Sequence, residues 1–181
     1  MPCFFGEDKM QNEVLKRKKL RLLDFDYNTP GAYFITICTH NRNNILSKIF
    51  VVGGDVPDAP SSSELLPFGK IAEKYINQLS NFYADIKVDK YVIMPNHIHI
   101  MLFVTDNSDS IHSNTKQHSV VSRFISTFKR FCNKEYGCNI WQRGFNDHII
   151  RNQTDYEKHL KYIDENVIKW TLDELYTNED M

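Results

Sequence analysis

Hydrophobic and polar positions alternate along this chain in stretches that change period. Residues 32–38, Ala-Tyr-Phe-Ile-Thr-Ile-Cys, are β-branched and aromatic and stop at the polar cluster His40-Asn41-Arg42-Asn43-Asn44. That pattern predicts a largely buried strand followed by a loop. Ile71, Ala72, Tyr75, Ile76 and Leu79 recur at helical spacing over 68–82, and Val120, Val121, Phe124, Ile125 and Phe128 do so over 119–131. Between these helices, two β-rich runs at 86–94 and 97–104 flank Pro95-Asn96 and predict a hairpin. A proline at the tip disfavours the primed two-residue turn, so a slightly longer connection is expected.

After a short strand around 139–142 and the segment 147–151, a third helix is expected from Asp155 to about Lys169, capped by Thr154 or Asp155. The order of elements is strand, helix, strand, strand, helix, strand and a trailing helix. It fits an α+β fold of the ferredoxin-like, split βαβ type: an antiparallel sheet with helices on one face and a trailing C-terminal helix that carries Tyr162. The turn cluster 27–31 closes an N-terminal arm, residues 1–28. One domain then spans 29–173, and 174–181 form an acidic tail. Residues 53–63 and 105–117, rich in Gly, Pro, Ser, Asp and Asn, read as flexible excursions.

Composition narrows the classes. With 181 residues, 41% hydrophobic and 13% aromatic, the chain can bury a core in one domain. No apolar run approaches the length of a membrane-spanning helix, and the first residues lack the basic-then-apolar order of a secretory signal. A cytoplasmic location is the expectation. Cys3, Cys38, Cys132 and Cys138 show no C-x-x-C spacing, which argues against a zinc ribbon and for reduced thiols. The formal net charge of -1 favours no partner, but basic residues gather at Lys16, Arg17, Lys18, Lys19 and Arg21, and again at Arg123, Lys129, Arg130 and Lys134. Two such patches can hold phosphates despite a neutral total, although each also reads as a solvated helix face.

The candidate chemistry starts at His97-Ile98-His99. Residues two apart in a strand share a face, so both imidazoles project together while Ile98, Ile100 and Leu102 point into the core. An isolated H-x-H is more often a half-exposed polar face than a metal site. On the third helix Tyr162 and Asn166, four apart, share a face. An amide oxygen is a suitable third ligand for Mg²⁺ or Mn²⁺, and three protein ligands leave positions open for a phosphate and water. On spacing alone Tyr162 reads as a core residue beside Leu160 and Ile163 rather than as a nucleophile, and Tyr156 is a rival nucleophile.

Four ordered blocks carry a resemblance. They are residues 30–42, Pro-Gly-Ala-Tyr-Phe-Ile-Thr-Ile-Cys-Thr-His-Asn-Arg; 92–99, Val-Ile-Met-Pro-Asn-His-Ile-His; 141–152, from Trp141-Gln142-Arg143-Gly144-Phe145 to Asp147-His148-Ile149-Ile150-Arg151-Asn152; and 162–170, with Tyr162, Asn166 and Lys169-Trp170. Over about residues 23–173 the chain resembles the REP-associated tyrosine transposases, relatives of the single-tyrosine insertion-sequence transposases of the HUH superfamily. The resemblance implies that His97 and His99 are metal ligands, that Asn166 completes the site, and that Tyr162 is the nucleophile. It also implies a single-stranded DNA substrate near a hairpin. One departure is Asn166-Val167 where the family often has Asn-Pro, which leaves room for a longer last helix.

The expected activity is therefore a single-stranded DNA endonuclease and strand transferase, acting through a 5′-phosphotyrosine with Mg²⁺ or Mn²⁺ as cofactor. A tyrosine with its ordinary pKa near 10 is a weak nucleophile at neutral pH, so a metal must polarise the scissile phosphate. Arg123, Lys129, Arg130, Arg143 and Arg151 are the candidates for DNA backbone contacts, and Phe145 or Trp141 for base stacking, with core packing the favoured role for Trp141. One alternative is a non-catalytic DNA-hairpin-binding regulator. Another is a phosphoesterase that uses water, with His97, His99 and either His40 or His148 as ligands. The chain is expected to work either as a monomer or as a homodimer that exchanges its tyrosine helix.

Overall fold

The computed structural model describes residues 25–51, 61–105 and 119–177; residues 1–24 of the expected arm, 1–28, and most of both excursions lie outside them. The elements are β1 (Gly31–Cys38), β2 (Ser47–Val51), β3 (Ser61–Leu65), α1 (Pro67–Phe82), β4 (Ile86–Ile93), β5 (His97–Val104), α2 (Val120–Tyr136), β6 (Asn146–Ile149) and α3 (Gln153–Glu165). β1, β4, β5 and β6 form one antiparallel sheet in the order β4-β5-β1-β6, and β2 pairs with β3 in a separate hairpin. The expected α+β, split βαβ architecture is what the chain adopts.

The two faces of the sheet are covered differently. Tyr33, Ile35 and Ile37 of β1 and Ile98, Ile100 and Leu102 of β5 face α1 and α2, whose apolar stripes supply Ala72, Ile76, Val121, Phe124 and Phe128. The other face of the same strands, with Ala32, Phe34 and Met101, packs on Ile163 and Leu160 of α3. The core helices thus share one face, and the trailing helix takes the opposite one.

Pro67 opens α1 at a position that needs no amide donor. Gly69 follows because the chain runs so close to Leu46 there that an added Cβ would lie 2.0 Å from the Leu46 carbonyl oxygen. Gly137, at φ +79, ends α2 in the left-handed conformation that favours glycine. α2 is therefore longer than its apolar periodicity alone predicts.

Other boundaries also depart from expectation. The strand expected over 139–142 is reduced to a single bridge between Thr39 and Trp141. Asn152, not Thr154 or Asp155, caps α3, its side-chain oxygen accepting from the Asp155 amide at 2.9 Å. α3 ends at Glu165 even without the proline, and a turn leads into a short 3-10 segment, Trp170–Leu172. Cys38 and Cys132 are free and buried, whereas Cys138 is disulfide-bonded, against the expectation of reduced thiols.

The hairpin between β4 and β5 turns through Met94-Pro95-Asn96, the longer connection expected. It is buried, so its polar groups must be paired. Pro95 O accepts from Leu46 N, Asn96 O from Thr39 N, and Met94 N donates to His97 O, each at 2.9 Å. His97 thus enters the sheet from a fully anchored turn.

Candidate active site

At the end of the sheet where β5 begins, His97 and His99 project toward α3 with ring centroids 4.4 Å apart. Both are buried, and Nε2 of each has no hydrogen-bond partner. Their other ring nitrogens are held. His97 Nδ1 lies 2.8 Å from Asn96 Oδ1, and the Asn96 amide nitrogen donates to Leu175 O at 2.9 Å and Thr177 Oγ1 at 3.1 Å. With its nitrogen so used, Asn96 presents its oxygen to the ring, so Nδ1 carries the proton and Nε2 offers a lone pair. His99 Nδ1 sits 2.9 Å from the Thr36 hydroxyl, its register partner across β1.

α3 brings Tyr162 and Asn166 to the same place. The Tyr162 ring packs edge-on against His99 at 5.2 Å. Asn166 is buried, and its Oδ1 is a further polar atom without a partner. Three orphaned acceptors, His97 Nε2, His99 Nε2 and Asn166 Oδ1, are therefore buried at one site. Such groups are costly to leave unpaired and are the donor set expected of a cation site.

Sequence reasoning missed a fourth participant, Asp173. Its Oδ2 accepts from the Tyr162 hydroxyl at 2.8 Å and from Asn166 Nδ2 at 3.0 Å, and lies 4.0 Å from His97 Nε2. His97, His99 and Asp173 together form a buried group able to hold a metal ion. Asp173 follows α3 and the 3-10 turn, and no periodicity links it to Asn166. In the sequence it is only the last residue before the acidic tail, 174–181. Thr36 left a fainter trace, as a polar residue on an otherwise apolar strand face with Phe34.

The electrostatics agree. Burial pushes His97 down to about 4 and, with the neighbouring His97, pushes His99 down to about 3, so both stay neutral at physiological pH. Burial opposes charge on Asp173, but the Leu175 amide, the Tyr162 hydroxyl and nearby His97 outweigh it and hold the carboxyl below its usual range. Burial and the hydrogen bond to Asp173 push the Tyr162 phenol well above 10.

The remaining candidates separate. Tyr156 turns away and donates to Asp89 Oδ2 on β4 at 2.5 Å. His40 is exposed on a 3-10 turn and His148 pairs with Asp155, so neither joins His97 and His99. Arg123 lies on α2, across the sheet from Tyr162, and pairs with Asp85 at 3.4 Å. Arg130, also on α2, is exposed over the Phe131 ring. Lys129 is inward-facing, its Nζ donating to Gln142 O at 2.8 Å and to Gly144 O, and burial pushes it down to about 8. It stitches the 142–144 loop to α2. Arg143 is exposed on that loop and Arg151 is exposed just before α3. Trp141 is in the core, 5.4 Å from Phe128, and Phe145 packs partly buried against it. Lys158, not anticipated, lines a cleft of about 330 Å³ with His99, Tyr162, His159 and Asp173.

No family model matches the chain. It is 26% identical over 178 residues to an uncharacterized protein of Haemophilus influenzae, covering 90% of this chain and 94% of that one. A second Haemophilus influenzae protein, provisionally called a REP-associated tyrosine transposase, is 27% identical over 155 residues, covering 80% of this chain and 74% of its own. The REP-associated tyrosine transposase of Escherichia coli K12 is 29% identical over 83 residues, 46% of this chain and 45% of that one. The chain is thus similar in sequence to REP-associated tyrosine transposases over as much as 80% of its length. A solved structure of such a transposase bound to a REP hairpin shares the fold, with TM-score 0.58 and 19% identity over 87% of this chain and 77% of that one. Within this shared fold, the buried histidine pair and the Tyr162 helix meet on the face of the sheet opposite α1 and α2. Among the described residues no helix is long and apolar enough to cross a membrane.

Proposed function

We propose that this chain cleaves and rejoins single-stranded DNA near hairpins by transesterification, with Tyr162 as nucleophile and His97, His99 and Asn166 as ligands for Mg²⁺ or Mn²⁺. The observation that carries this reading is that three buried, unpartnered ligand atoms, His97 Nε2, His99 Nε2 and Asn166 Oδ1, lie beside the partly exposed Tyr162 ring. When bound, the cation would supply Lewis acidity toward the scissile phosphate.

The chain's own residues do the rest. Asn96 and Thr36 hold the two imidazoles in place, as outer partners of metal-binding histidines do. α3 presents the Tyr162 oxygen to the cleft, and Phe34 and His99 limit the motion of its ring. The Tyr162 oxygen bonds to phosphorus as the bond to the leaving 3′ oxygen breaks, giving a 5′-phosphotyrosine and a free 3′-OH. Asp173, already hydrogen-bonded to the hydroxyl, stands as the nearest acceptor for its proton. One phosphate ester replaces another, so a second 3′-OH can reverse the step without ATP. Lys158, Arg143 and Arg151 are exposed for the phosphate backbone, and the hairpin-bound relative supports a hairpin partner.

The deciding experiment incubates the chain with labelled hairpin-flanked single-stranded DNA and Mn²⁺. A covalent protein–DNA adduct is expected, absent in Tyr162→Phe. Cleavage without an adduct would overturn the tyrosine mechanism, and hairpin binding without either product would favour the regulator.

A further inference from the structure

A second cluster lies on the other side of Phe34. His148 on β6 faces Asp155 and His159, which are four apart on α3 and so share a helix face. His148 Nε2 is 2.9 Å from Asp155 Oδ2, and His159 Nδ1 is 3.2 Å from Asp155 Oδ1. The two imidazoles stack with centroids 4.5 Å apart, and one ligand atom from each of the three residues lies within 4.8 Å of the others. The His148 side chain is 46% exposed, so a small ion can enter from solvent.

We propose that His148, Asp155 and His159 form a second site for a divalent first-row transition metal such as Zn²⁺ or Co²⁺, separate from the one at His97 and His99. Two imidazoles and one carboxylate are a donor set that suits such ions. The ligand spacing needs little closure. An ion replaces the proton now shared between His148 and Asp155. His159 Nδ1 gives up its 2.8 Å bond to the Asp155 carbonyl oxygen, its proton moving to Nε2. Asp155 keeps the Arg151 amide as an orienting donor at 3.2 Å.

The place of the site gives it a task, which rests on the function proposed above. Asp155, His159, Tyr162 and Asn166 lie along one side of α3. An ion bridging His148 to the first turns of that helix ties α3 to β6. Phe34, 4.8 Å from the His159 ring and 5.0 Å from the His99 ring, is the wall between the two sites. The second ion would hold the helix that presents Tyr162.

The test is titration of the full chain with Co²⁺, read by visible absorption and calorimetry. Wild type is expected to take two equivalents and His148→Gln/His159→Gln one. A chain with His97→Ala and His99→Ala should keep one equivalent, weakened at least tenfold by adding His148→Gln. A single equivalent in wild type that disappears with His97→Ala and His99→Ala would overturn the proposal. So would two equivalents unaffected by His148→Gln/His159→Gln, which would place the ion on other histidines. No readout involves DNA, so a negative result leaves the nuclease reading standing, and loss of cleavage elsewhere leaves this site standing.

Discussion

Asn96 Oδ1 lies 2.8 Å from His97 Nδ1 while the same amide's nitrogen donates to Leu175 O and Thr177 Oγ1. One side chain thus fixes the tautomer of a candidate ligand and ties the segment after Asp173 to the turn before β5. Asn96→Ala should weaken Mn²⁺ binding about 10- to 100-fold, the usual effect of removing an outer partner. Calorimetry at fixed pH checks this, and unchanged affinity would show that His97 is oriented by packing alone.

Tyr162 and Asp173 give the second prediction. The carboxylate accepts the phenol's proton bond and so raises its pKa. In Asp173→Asn that charge is gone, and the rising limb of the cleavage pH profile should move to lower pH at saturating Mn²⁺. An unmoved limb would mean that Asp173 leaves the phenol when metal and DNA bind.

Much of this site was legible in the sequence because strand and helix periods place side chains by arithmetic. His97 and His99 share a face of β5, Ile98 and Ile100 take the other, and Tyr162 and Asn166 emerge together from α3. Spacing leaves Tyr162 and Tyr156 both open; long-range contacts set them apart, Tyr162 lying against His99 while Tyr156 bonds to Asp89 across 67 positions. Asp173 was illegible for the same reason: only the turn after α3 carries it back over His97. Lys129 faces inward, which charge patterning cannot show, since it cannot tell a solvated lysine from one that stitches a loop.

The two histidines also predict a pH dependence for the metal-free protein. Folded, they stay neutral down to about 4 for His97 and about 3 for His99; unfolded, they protonate near 6.5. As pH falls below 6.5 the unfolded chain binds more protons, so stability falls, and the loss levels off only below the folded values. Each histidine contributes up to about 1.4 kcal/mol per pH unit in that window. Denaturant unfolding in a chelator between pH 7.5 and 5 should show this slope, flattened in His97→Ala/His99→Ala.

Gly69 tests the frame apart from the chemistry. A Cβ there meets the Leu46 carbonyl oxygen at 2.0 Å, and backbone cannot give way as a side chain can. Gly69→Ala should cost about 1–3 kcal/mol of stability, the usual range for overpacking. Mn²⁺ affinity at a temperature where the variant is folded should match wild type. A variant as stable as the parent would show that α1 can slide away from Leu46.

The last prediction concerns which chain supplies the tyrosine. Ile163 and Leu160 of α3 pack on Phe34, Ala32 and Met101 of the same chain, and Lys90 pairs with Asp164 at 2.5 Å. With the helix seated on its own sheet, the proposed nucleophile and ligands of one site come from one polypeptide. Tyr162→Phe mixed with His99→Ala should therefore give no adduct, because neither chain holds a complete site. Helix exchange would instead restore up to about half of the sites and an adduct on the His99→Ala chain alone. Mass-tagged variants distinguish these outcomes, and an adduct in the mixture would show that α3 leaves its own sheet in the active assembly.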